Sequence, residues 1–137
     1  MSRRGEVLNA GEVSSEAIVL EEPLSFWGGF DPVTGSIIDR AHPQAGECLT
    51  GKVVVMAAAR GSSGTPGALG ESMRIGTGPD GIVLLEPDIN ITVGAMVVAS
   101  LYDVHCPVVV LRQIDYDTIN TGDHIAISLD GAVSITP

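Results

Sequence analysis

Apolar residues come along this chain in short unbroken runs rather than in strict alternation with polar ones. Residues 53–59 (VVVMAAA), 82–85 (IVLL) and 106–111 (CPVVVL) are too short for helices and rich in β-branched side chains. Each predicts a strand buried on both faces. Between the first two lies a glycine loop at residues 61–67 (GSSGTPG), then Ala68, Leu69, Ser72, Met73 and Ile75 at the spacing of a modest helix. Between the second and third, residues 91–101 (ITVGAMVVASL) are apolar almost all round, and their length favours a buried helix entered through an N-cap at Asp88 or Asn90. Strand, helix, strand, helix, strand predicts an open parallel centre of three strands joined by crossovers.

The two ends of the chain read as mostly β. Residues 16–20 (EAIVL) predict a strand, residues 31–35 (DPVTG) a turn, and residues 36–39 a short strand. Residues 76–81 are dense with helix stops, and residues 114–120 are irregular. Asp130-Gly131 predicts a hairpin joining residues 124–129 to residues 132–136. Residues 1–13 read as a poorly ordered lead, which leaves residues 14–137 as one domain. The fold class is α/β, with a small parallel central sheet, two main helices and flanking antiparallel strands. Three of the five aromatic residues crowd into Phe26, Trp27 and Phe30. A small satellite core is the leading reading of that cluster, and a docking surface steadied by Gly28-Gly29 is the other.

Composition narrows the function. A net charge of −10 with a single lysine, Lys52, argues against nucleic acid or an anionic membrane as partner, though not against a small anionic substrate. No apolar run approaches the roughly 20 residues that span a bilayer, and the basic residues Arg3 and Arg4 lack a following apolar stretch, so a cytoplasmic protein is expected. Cys48 and Cys106 form no Cys-x-x-Cys pair and read as buried thiols without a disulfide.

A buried strand, a hydroxyl-bearing glycine loop and a helix N-terminus together make a place to hold an anion, because backbone N–H groups and the positive dipole end face the loop. The glycines at 61, 64 and 67 fit neither the Rossmann fingerprint nor the P-loop. Ser62 and Ser63 lack the G-x-S-x-G elbow, and none of His42, His105 and His124 is tied to them by sequence. No spacing matches a zinc or iron–sulfur ligand pattern, so no metal is expected on this chain. The chain thus carries a cradle without a complete catalytic set. Either another polypeptide completes the site, or the cradle belongs to a non-catalytic anion-binding module.

Residues 23–39 (PLSFWGGFDPVTGSIID), His42-Pro43, Gly51-Lys52-Val53, Arg60-Gly61-Ser62-Ser63, Gly94-Ala95 and residues 106–110 (CPVVV) follow one another in an order that resembles the small subunit, or swivel domain, of the aconitase X family. The resemblance spans roughly residues 16–136. It implies a swivelling β/β/α fold and a hydro-lyase subunit, inactive without a large subunit that holds an iron–sulfur cluster. By motif, Ser62 would be the base of a dehydration, and Arg60, Gly61, Ser63, Gly64 and Thr65 would bind the substrate. The arginine that follows the serine pair in other aconitases is absent, as it is in aconitase X members. Similar bacterial proteins act on cis-3-hydroxy-L-proline and archaeal ones on phosphomevalonate. Residues 63–67 and 101–107 look bacterial, which makes the hydroxyproline the expected substrate.

Overall fold

The computed structural model describes residues 2–137. Its elements in chain order are β1 (Ser2–Arg4), β2 (Glu6–Asn9), β3 (Val13–Val19), β4 (Phe30–Asp31), β5 (Ser36–Ile37), β6 (Val53–Met56), α1 (Thr65–Ile75), β7 (Gly81–Leu84), α2 (Ile89–Tyr102), β8 (Val108–Val110), α3 (Gln113–Tyr116), β9 (His124–Ile127) and β10 (Ala132–Thr136). The main sheet runs β1-β10-β9-β3-β6-β7-β8-β2, and β4-β5 is a separate hairpin. The parallel centre holds four strands rather than the expected three, because Ala17, Ile18 and Val19 of β3 pair in parallel with Val53, Val54 and Val55. Residues 13–16 of the same strand pair antiparallel with β9, so β3 carries the chain from one sheet layer into the other. The strand expected at residues 36–39 is shorter and pairs with β4 instead of joining the main sheet.

The apolar runs sort by parity, as a strand must. Val54, Met56, Ile82, Leu84 and Val108 face α1 and α2 through Leu69, Met73, Ile91, Ala95 and Val98. Val53, Val55, Val83 and Val109 face the opposite way, onto Ile125, Ile127 and Val133 of the β9–β10 ribbon. The antiparallel ribbon therefore covers one face of the parallel sheet and the helices cover the other, giving β/β/α layers. That double cover is why the central strands read as continuous apolar runs.

The lead of residues 1–13 is not loose where it is described: β1 pairs with β10 and β2 with β8. Met1 lies outside the described residues. At the corner between them the Gly5 amide donates to the Gly131 carbonyl at 2.7 Å, and a Cβ on Gly5 would come within 3.0 Å of Val109 Cβ. Arg3 meets Asp115 at 2.9 Å and Arg4 meets Asp130 at 3.3 Å. These are short strands held by partners about a hundred residues away or more, which no local pattern discloses.

Asp88, not Asn90, caps α2, accepting from the Ile91 amide at 2.9 Å. The helix is apolar all round yet only half covered: Ile91, Gly94, Ala95 and Val98 are buried, while Ile89, Val93, Met96, Val97, Leu101 and Tyr102 stand exposed. Its inner face is packed closely on α1, where a Cβ on Gly94 would lie 3.1 Å from Pro66 Cα. The thiols divide as well. Cys106 is buried, and burial pushes its thiol up. Cys48 is exposed, contrary to expectation, and its hydrogen bond with Thr50 holds its thiol below the ordinary range. The region expected to be irregular begins with the single turn α3, whose Asp115 is buried beside Arg3.

Candidate functional site

The loop that follows β6 lies beyond the carboxyl ends of the parallel strands, where ligands of such sheets sit. The strand stops at Met56 rather than running on to residue 59. The reason is local: the Ala57 carbonyl accepts both the Leu85 and Glu86 amides, at 3.1 and 2.9 Å, and this turns the chain out of the ladder. The Arg60 amide then donates to the Leu24 carbonyl at 3.2 Å. The Arg60 guanidinium lies 3.7 Å from the Glu22 carboxylate and 3.8 Å from that of Asp39, so it faces two acids from the preceding segment.

Ser62 is half-buried at the turn into α1. Its Oγ accepts the Gly64 amide at 3.2 Å, and its carbonyl accepts the Thr65 amide at 3.1 Å. Pro66, in the first turn, has no N–H to offer. The cradle is therefore narrower than the sequence suggests, since some of its amides are engaged within the loop. One of them is aimed at the Ser62 oxygen itself. The first turn of α1 holds no acidic residue, which leaves the positive end of its dipole uncompensated beside that oxygen. Gly61 and Ser63 are exposed, whereas Thr65 is buried at 2% exposure.

The aromatic cluster divides between its two readings. Phe26 and Phe30 are buried, edge to face with ring centroids 5.2 Å apart, and form the satellite core. Trp27 is 63% exposed and lies against the serine loop: a Cβ on Gly64 would sit 2.5 Å from its Cδ2 and 2.7 Å from its Cγ. Gly28, at φ 88°, makes the turn that presents the ring. Nothing in the sequence spacing ties residue 27 to residue 64. The Gly28-Gly29 pair was the one hint. Gly64→Ala is accordingly expected to push the indole off the loop, red-shifting the Trp27 emission. The melting temperature should fall by a few degrees, since alanine is a poorer N-cap than glycine by roughly 0.5–1 kcal/mol. An unchanged emission spectrum would show that the ring does not rest on the loop.

Each histidine is engaged elsewhere. His42 is buried, its Nε2–H donating to the Glu22 carbonyl at 2.9 Å and its Nδ1 accepting the Gln44 amide at 3.0 Å. His105 Nε2 meets Asp103 at 2.6 Å, and His124 Nε2 meets Ser14 Oγ at 2.5 Å. A serine–histidine hydrolase thus finds no base beside Ser62. A half-open cleft of about 310 Å³, lined by Glu12, Ser14, Asp80 and His105, lies at the amino ends of β3 and β7, at the opposite end of the sheet from the serine loop.

With this geometry in hand, comparison with known proteins is informative. The family model of the aconitase X swivel domain matches residues 2–135, which includes the two N-terminal strands. The chain is 32% identical over 131 residues to the cis-3-hydroxy-L-proline dehydratase of Hypocrea jecorina, covering 96% of this chain and 22% of that protein. It is 36% identical over 123 residues to the phosphomevalonate dehydratase small subunit of Methanopyrus kandleri, covering 90% of this chain and 87% of that one. The chain thus spans about a fifth of one relative and most of the other. The crystal structure of Thermococcus kodakaraensis aconitase X in its holo-form superposes with a TM-score of 0.87 at 26% identity, covering 100% of this chain and 99% of that one. The family match over residues 2–135 and the superposition over the whole chain agree, and the chain belongs to the aconitase X swivel-domain family.

Proposed function

We propose that the chain is the small subunit of an aconitase X-type hydro-lyase, that Ser62 is its base, and that it is inactive until a large subunit closes over the serine loop. The observation that carries the reading is the Gly64 amide on Ser62 Oγ, 3.2 Å away, at an uncompensated helix N-terminus. A serine hydroxyl removes a proton from carbon only as its alkoxide. A backbone donor and a dipole end, both dried by closure of the partner, are what stabilise that charge. Ser62 Oγ takes the proton as the hydroxyl group leaves. Ser63, exposed beside it, and Gly61, whose backbone is open to approach, orient the substrate carboxylate.

The iron–sulfur cluster that the family implies does not fit the residues of this chain. Among the described residues, no group of three or more His, Cys, Asp or Glu could hold a metal, and Cys48 is exposed while Cys106 is buried. The cluster is assigned to the large subunit, where it supplies Lewis-acid chemistry. This chain contributes the base, the orientation of the substrate and the exclusion of water.

The proposed substrate is cis-3-hydroxy-L-proline. Arg60 is already faced by Glu22 and Asp39, so the loop's own cation is largely offset. A zwitterionic amino acid suits that balance better than a phosphate ester. Phosphomevalonate is the second reading, favoured by the end-to-end match to a separate small subunit. Anaerobic reconstitution with the large subunit, followed by dehydration assays on both compounds, tests the proposal. Turnover of the hydroxyproline is expected. Turnover of phosphomevalonate alone would keep the mechanism and replace the substrate, and no complex with any large subunit would remove the reading.

A further inference from the structure

Half of α2 has nothing over it. Ile89, Val93, Met96, Val97, Leu101 and Tyr102 are exposed on a helix with no charged residue along its 14 positions, in a chain of net charge −10. A helix facing water ordinarily carries its charge on that side. Depletion of charge together with methionine and tyrosine is instead the composition of an interface core. Val97, Leu101 and Tyr102 also wall a groove of about 160 Å³ against Pro66, Gly67 and Gly70 of α1, with the Glu71–Arg74 ion pair at its edge. Pro66 and Gly67 form the first turn after the serine loop, so this groove begins directly after the candidate site in the chain.

We propose that the outer face of α2, with its groove on α1, is the surface on which this domain docks the large subunit, taking an apolar, uncharged segment of it and so setting the Ser62 loop against the partner's half of the site. The inference rests on the small-subunit reading above. In relatives where the matched region is only 22% of the chain, the remaining polypeptide is at hand to cover such a face. A second copy is the poorer occupant: two chains of charge −10 repel, and a copy brings the loop none of the groups it lacks.

The test is co-expression with the large subunit of Met96→Glu and Leu101→Glu variants, beside a Leu129→Glu control at a comparably exposed apolar position in the β9–β10 turn. Dissociation of the two-subunit complex is expected to become about 100-fold easier in the α2 variants, the loss expected of an interface hot spot. Turnover should fall in step and return when the large subunit is added in excess, while the melting temperature of the chain alone and the control complex stay unchanged. Wild-type affinity in both α2 variants would overturn the docking face and leave the small-subunit reading standing. A wild-type chain that binds no large subunit would remove both. A dimer of the chain alone that the α2 variants dissociate would make a second copy the occupant and overturn the proposal.

Discussion

Ser62→Ala is expected to lower turnover of the reconstituted complex by about 10²–10⁴-fold, the range for loss of a positioned base, while leaving fold and assembly unchanged. The structural cost is small because, among the described residues, Ser62 Oγ makes one hydrogen bond, the 3.2 Å bond from the Gly64 amide. Removing it forfeits roughly 1 kcal/mol or less. The Thr65 amide still bonds the Ser62 carbonyl at 3.1 Å, so the turn into α1 persists. Ser63→Ala is the companion measurement. Ser63 is exposed and proposed to orient the substrate, so its loss should raise KM more than it lowers kcat. Turnover preserved in Ser62→Ala would end its assignment as base, and equal losses of kcat in both variants would remove the distinction between their roles.

Gly35→Ala is expected to be the most damaging single substitution for the fold. Gly35 has φ 77°, and a Cβ there would overlap Thr50 Oγ1 and the Thr77 carbonyl oxygen. Those two atoms are hydrogen-bonded to each other at 2.7 Å, and Gly35 itself bonds Asp31 and Leu49 through its amide and carbonyl, at 2.8 and 2.7 Å. The residue is where the β4–β5 hairpin is pressed onto the turn after α1, and backbone cannot step aside as a side-chain tip can. Left-handed strain of about 1–3 kcal/mol and an overpacking cost of similar size together make a loss of about 2–6 kcal/mol. The melting temperature should then fall by roughly 10 °C or more. Gly46→Ala isolates the strain, because Gly46 has φ 93° and no neighbour within 4 Å of an added Cβ. Equal shifts for the two variants would show that the contact with residues 50 and 77 carries no weight.

What could be read in the sequence follows from how far apart the interacting residues are. The parallel strands β6, β7 and β8 announce themselves because double burial leaves an apolar run with no need of outside information. The Asp130-Gly131 turn is equally local, with Gly131 at φ 88°. So is the place of the serine loop, which follows from strand and helix order. β1 and β2 were missed because their pairing partners are the far end of the chain and β8. The end of β6 was misjudged because it is set by amides of residues 85 and 86, not by its own alanines. α2 was expected to be buried, since apolarity states only that a surface is to be covered and not by which chain. In the candidate site the order of residues pointed to Ser62 as the proposed base, but not to the carboxylates that Arg60 faces or the indole lying on Gly64.

The pairing of Ser2 with Ser134 across β1 and β10 has one more consequence. It places the polypeptide's entrance and exit side by side on one edge of the domain. Such a unit can be spliced onto or into a longer chain through a single junction, without cutting any layer of its core. That suits a module which makes up about a fifth of one relative's chain and nearly all of another's. For the engineer, the same geometry makes a circular permutant opened at an exposed loop and closed by a few glycines across residues 2 and 134 a practical way to choose which end is tethered.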